Sequence, residues 1–220
     1  MNPDEARRQE REERIAALEG RLSRRSPVGV RPPVAVVALG AALFLLSSLR
    51  RDLAYFFSPT TPLSLGAEGE YRFDAFASNR YAQVHGIPTL RGAYTQERAV
   101  TWVAVGLRDT PLFVWRQALG GEDWAGSGAP PQPNQSPFAV RGRLLAQQDA
   151  PGRFRDAFEK LAAMGEVRPR DGKRWVLIEG ERPRADVGVL LYAAALALFF
   201  ATNGFFLWRG LIRRAPADGS

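Results

Sequence analysis

Two long stretches without a single charge constrain this chain more than any other feature. The first is Val34-Ala-Val-Val-Ala-Leu-Gly-Ala-Ala-Leu-Phe-Leu-Leu-Ser-Ser-Leu49, and the second runs from Val187 to Trp208. At about 1.5 Å per residue, the 22 residues of the second are enough to cross a hydrocarbon core of about 30 Å. The first has 16 residues. Val28 and Val30 precede it and Leu53, Tyr55, Phe56 and Phe57 follow it, so a helix there lengthens at either end. Both runs predict transmembrane helices, over residues 34–57 and 187–208. The rival for each is a buried core helix, and for the first also a cleaved signal peptide. The signal-peptide reading fits poorly. Thirty-three residues stand before the apolar run, and Ser47-Ser-Leu-Arg-Arg-Asp52 has no small-residue cleavage pattern.

Orientation follows from the basic flanks. Residues 1–33 carry eight arginines against six acids, and the tail after Trp208 carries Arg209, Arg213 and Arg214 against Asp218. Arg50, Arg51, Arg182 and Arg184 speak for the opposite orientation. They flank a domain of well over a hundred residues, however, and long domains translocate largely regardless of charge. The expectation is therefore an inner-membrane protein with both termini cytoplasmic and a central periplasmic domain over residues 58–186. Residues 1–33 form a cytoplasmic charged helix and hinge, and residues 209–220 a cytoplasmic basic tail. The formal charge of +7 is spread over all three polar parts, and none is basic enough to point to nucleic acid. The expected partners are the lipid bilayer and another membrane protein or complex; the oligomeric state is left open.

No cysteine is present, so disulfides, thiolate metal sites, cysteine nucleophiles and thioether haem attachment are excluded. The central domain has to hold itself together by its apolar core, and it is long enough to do so. Short strand-like runs, separated by glycine and proline, fall at Tyr81–His85, Leu90–Gln96, Val100–Leu107, Leu112–Arg116, Phe138–Leu145 and Arg174–Glu179. Residues 152–164 place Phe154, Phe158 and Leu161 on one face of an amphipathic helix. Ala118–Pro137, rich in Gly, Pro, Gln and Ser, reads as a long exposed loop. The predicted fold class is membrane-anchored α+β, with a mainly antiparallel β domain. A small OB-like barrel carrying one helix fits this order, and a β-sandwich is the alternative.

Two spans around an outer β-rich domain resemble the layout of the Surfeit-locus family of cytochrome oxidase assembly factors. The layout is also similar to that of haem chaperones with one span and an OB-like domain. The haem chaperones use a His followed four residues later by Tyr. Here the order is Tyr81-Ala-Gln-Val-His85, reversed and on a strand, so no functional residue is carried over.

His85 is the only histidine. Strand alternation puts it on a polar face with Tyr81 and Gln83, opposite Ala82 and Val84. A metal or haem site would need partners at ligand spacing, and the sequence shows none. There is no nucleophile elbow, no glycine-rich phosphate loop and no His-x-x-His pair. Glu68, Glu70, Asp74, Glu122 and Asp123 sit in segments that read as solvated. No catalytic, cofactor or metal site is expected.

The residues singled out are anchors and contacts. Tyr55, Phe56, Phe57 and Trp208 suit the membrane interface. Trp124, in the Gly/Pro loop, suits a partner or the interface. Asn203, the one strongly polar residue of the second span, should face protein, either the first span near Gly40 or another membrane protein. Ile15, Leu18 and Leu22 form a short seam on the N-terminal helix for a partner helix. The resulting expectation is a non-enzymatic accessory or assembly protein that displays a β domain. The alternatives are a respiratory-complex assembly or haem/metal-handling factor, or an envelope enzyme using His85.

Overall fold

The computed structural model describes residues 32–212 except 98, 125 and 127. The seam of Ile15, Leu18 and Leu22 and the basic tail from residue 213 lie outside the described residues. The chain divides into two units. One contains residues up to Ser47 together with those from Ala194 onward, and the other is Ser48–Ala193.

The described residues of the first unit are apolar helix. α1 spans Pro32–Phe56, and its start at Pro32-Pro33 uses a residue whose fixed φ suits a first turn. The last helix of the chain spans Val187–Ile212. Both are long and apolar enough to cross a bilayer. Their large side chains are not those of core helices. Phe44 is 73% exposed and Leu198 is 69% exposed, where a soluble core would bury them. Within this unit Ala35 and Ala42 of α1 are buried.

The second unit is a seven-stranded mixed sheet with one helix. β1 is Leu63–Ser64, β2 Arg80–Gly86, β3 Pro88–Glu97 and β4 Val100–Leu107; β5 is Leu112–Gln117, β6 Phe138–Ala146 and β7 Trp175–Glu179. α2, Arg155–Ala163, lies between β6 and β7 and follows a 3-10 turn at Gly152–Phe154. The Val187–Ile212 helix is α3. The six predicted strands and the amphipathic helix are all present, and only the two-residue β1 is additional.

The strand order is β1-β2-β6-β7-β5-β4-β3. β1 runs parallel to β2 and β5 parallel to β7, and the remaining pairs are antiparallel. The sheet is thus mixed and open, with β1 and β3 at its edges. Four of its six pairings are antiparallel, as expected, and all seven strands lie in one sheet rather than in the two of the β-sandwich alternative. α2 joins β6 to its antiparallel neighbour β7, and β7 inserts between β6 and β5, so that β5 and β7, separated in the chain by β6 and α2, run parallel.

The open order hides a strong curl. Ile87 alone connects β2, beside one edge, to β3, at the other. Across that corner Arg108 N donates to Ile87 O at 3.0 Å. A side chain at Gly86 would meet the Tyr71 hydroxyl at 2.6 Å and Leu107 at 3.4 Å.

Alternation sorts the strands into two cores. Leu112, Val114, Trp175 and Leu177 face inward, with Ala82 and Val84 of β2 and Val105 and Leu107 of β4. Phe113, Trp115, Val176 and Ile178 face α2, which supplies Ala157, Phe158 and Leu161. Phe158 meets Phe113 edge-on at 4.7 Å, and Phe154 meets Trp115 at 5.3 Å. Truncating a buried aromatic such as Phe158 to alanine costs about 3–5 kcal/mol. Gly142 marks the tightest approach between strands, because a Cβ there would collide with the Ile178 carbonyl of β7.

Candidate functional site

The densest polar cluster forms where the last turns of α1, Ser48 onward, meet the sheet. Asp52 and Tyr55 stand three residues apart on α1 and therefore share a helix face. Both reach Arg143 of β6, which alternation places away from the core occupied by Leu144. The Arg143 guanidinium lies 2.8 Å from the Asp52 carboxylate and 4.5 Å from the Tyr55 ring centroid. Its Nε and Nη2 donate to Asn79 Oδ1 at 2.9 and 2.6 Å. Asn79 sits at φ 62°, in the left-handed region that asparagine tolerates, and its Nδ2 donates to Arg51 O at 2.9 Å. Tyr55 Oη donates to the Glu181 carbonyl at 2.8 Å, and Arg51 pairs with Asp149 at 2.8 Å. One guanidinium thus gathers α1, β6 and the segments on either side of them.

A cleft of about 720 Å³ opens beside this clasp, between Asp52, Tyr55, Arg143, Glu181 and the first residues of α3. Burial pushes the Glu181 carboxyl above the usual carboxylate range and Asp52 adds to this, although Arg143 and Arg153 act against it. The arrangement fixes geometry: it sets the end of α1 rigidly against the sheet.

A second polar knot ties down the Gly/Pro-rich loop after β5. Arg116 and Glu122 form a two-pronged ion pair at 2.7 and 2.8 Å, with side chains only 4% and 3% exposed. Glu122 also accepts backbone N–H bonds from Leu119 at 2.8 Å and Asn134 at 2.6 Å. Burial alone would raise its carboxyl. The bonds from Arg116, Asn134 and Leu119 outweigh burial and hold the group below the ordinary range. From this knot the loop runs along the β3 edge. Gln135 Nε2 donates to Thr89 O at 3.0 Å, and Pro133 sits where a Cβ on Gly92 would meet it at 3.0 Å. The loop covers an edge that would otherwise offer unpaired backbone to another strand. This corrects the reading of Glu122 as solvated and of Ala118–Pro137 as simply exposed.

The residues singled out from sequence are dispersed. His85 is exposed on β2, as alternation predicts. Its Nε2 lies 2.7 Å from Gln83 Nε2, and Gln83 Oε1 accepts from Arg141 Nε at 2.7 Å. Tyr81, expected on the same polar face, is buried at the clasp end of β2. Tyr55 is likewise turned inward, whereas Phe57 is exposed and packs edge-on against Phe56 at 5.2 Å. Trp124 is half-buried and faces Tyr94 at 6.4 Å, with its carbonyl accepting from Thr101 Oγ1 at 3.3 Å. Trp208 is exposed. Asn203 Nδ2 donates to Phe199 O of its own helix at 2.8 Å. A Cβ added at Gly40 or at Gly204 would meet nothing within 4 Å.

Sequence reasoning missed Arg143, Asp52, Arg116 and Glu122. A signal existed for Arg116: on β5 it shares a face with Leu112 and Val114, and an arginine on a core face requires a partner. No such signal marks Asp52, whose partner lies ninety-one residues away.

Among the described residues no group of three or more His, Asp or Glu side chains is placed to hold a metal ion. No protein-family model, curated protein or solved structure matches this chain.

Proposed function

We propose that this is a non-enzymatic accessory or assembly protein of the inner membrane, anchored by α1 and α3. In this reading both termini are cytoplasmic, and the β domain is presented on the periplasmic side to another membrane protein or complex. The observation that carries it is the pairing of two exposed apolar helices with a clasp at the end of the first. Apolar surface of that extent is unstable in water and calls for lipid. The Arg143 clasp then binds the last turns of α1, from Ser48 onward, to the sheet, which suits presentation to a partner.

The curl supports a finer reading of the domain as an OB-type barrel. The bent strand formed by β2 and β3 pairs with β6 through its first half and with β4 through its second. The parallel β5/β7 pair then completes the circuit. The helix lies between β6 and β7.

Membrane fractionation followed by purification of the full chain in mild detergent tests the proposal. The chain should stay in the membrane after an alkaline wash and carry a second membrane protein through purification, without stoichiometric metal or haem absorption. Recovery from the soluble fraction would refute the anchoring. Stoichiometric haem or metal would refute the non-enzymatic reading.

A further inference from the structure

We infer that the cleft between the end of β6, the start of β7 and the N-terminus of α2 is a binding site for a phosphate ester. The cleft has a volume of about 450 Å³ and is lined by Arg155, Lys173 and Arg174, by the amides of Gln147 and Gln148, and by Gly152, with no carboxylate in its wall. Three features converge on it.

The first is unbalanced charge. Arg51, Arg116, Arg143 and Arg153 all have carboxylate partners, whereas Arg155, Lys173 and Arg174 make no ion pair among the described residues. Three cations gathered without an acid repel one another, and an anion relieves that repulsion. The second is an unmet donor: Arg174 Nε is buried without a hydrogen-bond partner. A buried donor left unpaired is costly, and a guanidinium suits the tetrahedral oxygens of phosphate. The third is the helix start: Gly152 and Arg155 line the cleft, so the positive end of the helix lies at its wall, although the Phe154 and Arg155 amides are already bonded to the Pro151 and Gly152 carbonyls. Asp156 stands in the first turn of α2 but does not line the cleft.

The volume exceeds that of a bare phosphate, and Phe158, Ala150 and Pro151 give the cleft an apolar wall. Both facts favour an ester with a small organic substituent. A glycerophosphate unit has this chemistry, whether free or as a phospholipid headgroup. Ala150 and Pro151 also line the clasp cleft beside α1. The headgroup source rests on the membrane reading proposed above; the soluble source does not.

The test uses the full chain in non-ionic detergent. Binding of glycerol phosphate is measured by calorimetry, and retention of phosphatidylglycerol against phosphatidylcholine by native mass spectrometry. Arg155→Gln/Lys173→Gln and Arg174→Gln are compared with Arg168→Gln, a cation outside the cleft. The expected result is binding of one or both phosphate probes, weakened at least tenfold by the cleft variants and unchanged by Arg168→Gln. Binding of glycerol phosphate identifies a soluble ester; retention of phosphatidylglycerol alone identifies a headgroup. Should Arg174→Gln not fold, the double variant of exposed side chains decides. Wild-type protein that binds neither probe, or cleft variants that bind as well as wild type, would overturn the inference. Failure of the membrane reading would show separately, as recovery from the soluble fraction.

Discussion

Replacing Arg116 with leucine strands the Glu122 carboxylate in a nearly closed site. Four donors normally converge on it at 2.6–2.8 Å, two from the guanidinium and two from backbone amides. Arg116→Leu removes the two charged donors and leaves a side chain that is 3% exposed. Breaking one partner of a buried pair costs about 3–5 kcal/mol, because the remaining charge stays buried. For a domain of this size that lowers Tm by roughly 6–20 °C. Wild-type Glu122 has a depressed carboxyl pKa. The stability it contributes is therefore present above the unfolded value, near pH ~4.3, and is lost as pH falls through the folded value. Without Arg116, burial is less opposed, the folded pKa rises and protonation relieves the site. The deficit of the variant against wild type should thus shrink as pH drops below ~4.3. Arg116→Leu/Glu122→Leu should recover much of the loss at neutral pH. Thermal melts of the full chain in detergent at several pH values measure all three. The reasoning is refuted if Arg116→Leu melts within 2 °C of wild type at neutral pH, or if the double variant is less stable than the single.

Gly142→Ala should destabilise the domain by more than ~3 kcal/mol, because the added methyl collides with the Ile178 backbone and neither strand can move alone; soluble yield and melting temperature report it. His85→Ala should shift stability by less than ~1 kcal/mol and leave function in vivo intact, since the residue is exposed and its ring nitrogen lies beside Gln83 at the surface; loss of function with the domain still folded would count against the non-enzymatic reading. Asn203→Leu should insert normally, as the amide already bonds within its own helix. Its remaining donor and acceptor are worth roughly 0.6–2 kcal/mol to a helix partner, so co-purification of a membrane protein should weaken; unchanged recovery would show that no partner uses them.

What was legible in the sequence was periodic or local. Strands such as Phe138–Leu145 announce themselves by alternation, and Phe154, Phe158 and Leu161 mark α2 by helical spacing. The two long apolar helices are legible because each run is uncharged and far longer than a strand. Sheet order was not legible. Nothing around Gly86-Ile-Pro88 marks it as a link between distant strands, and only the pairing of β2 with β6 and of β3 with β4 shows it. The clasp was illegible for a similar reason. Asp52 lies at the end of an apolar run and Arg143 in a strand that looks solvent-facing, and nothing local ties a charge to a partner so far along the chain. Trp124 reads as an exposed loop aromatic until Tyr94 is found beneath it.

The central claim is that α1 and α3 both cross a membrane and leave the β domain on the side opposite the termini. The chain has no native cysteine, so single engineered cysteines give an unambiguous readout. Gly120→Cys lies in open space on the β domain, and Ser220→Cys marks the C-terminus. Cells with a permeabilised outer membrane but an intact inner membrane are treated with an impermeant maleimide. The account predicts labelling of Gly120→Cys in these cells and of Ser220→Cys only after lysis. Labelling of Ser220→Cys in the intact cells, or protection of Gly120→Cys until lysis, would contradict it.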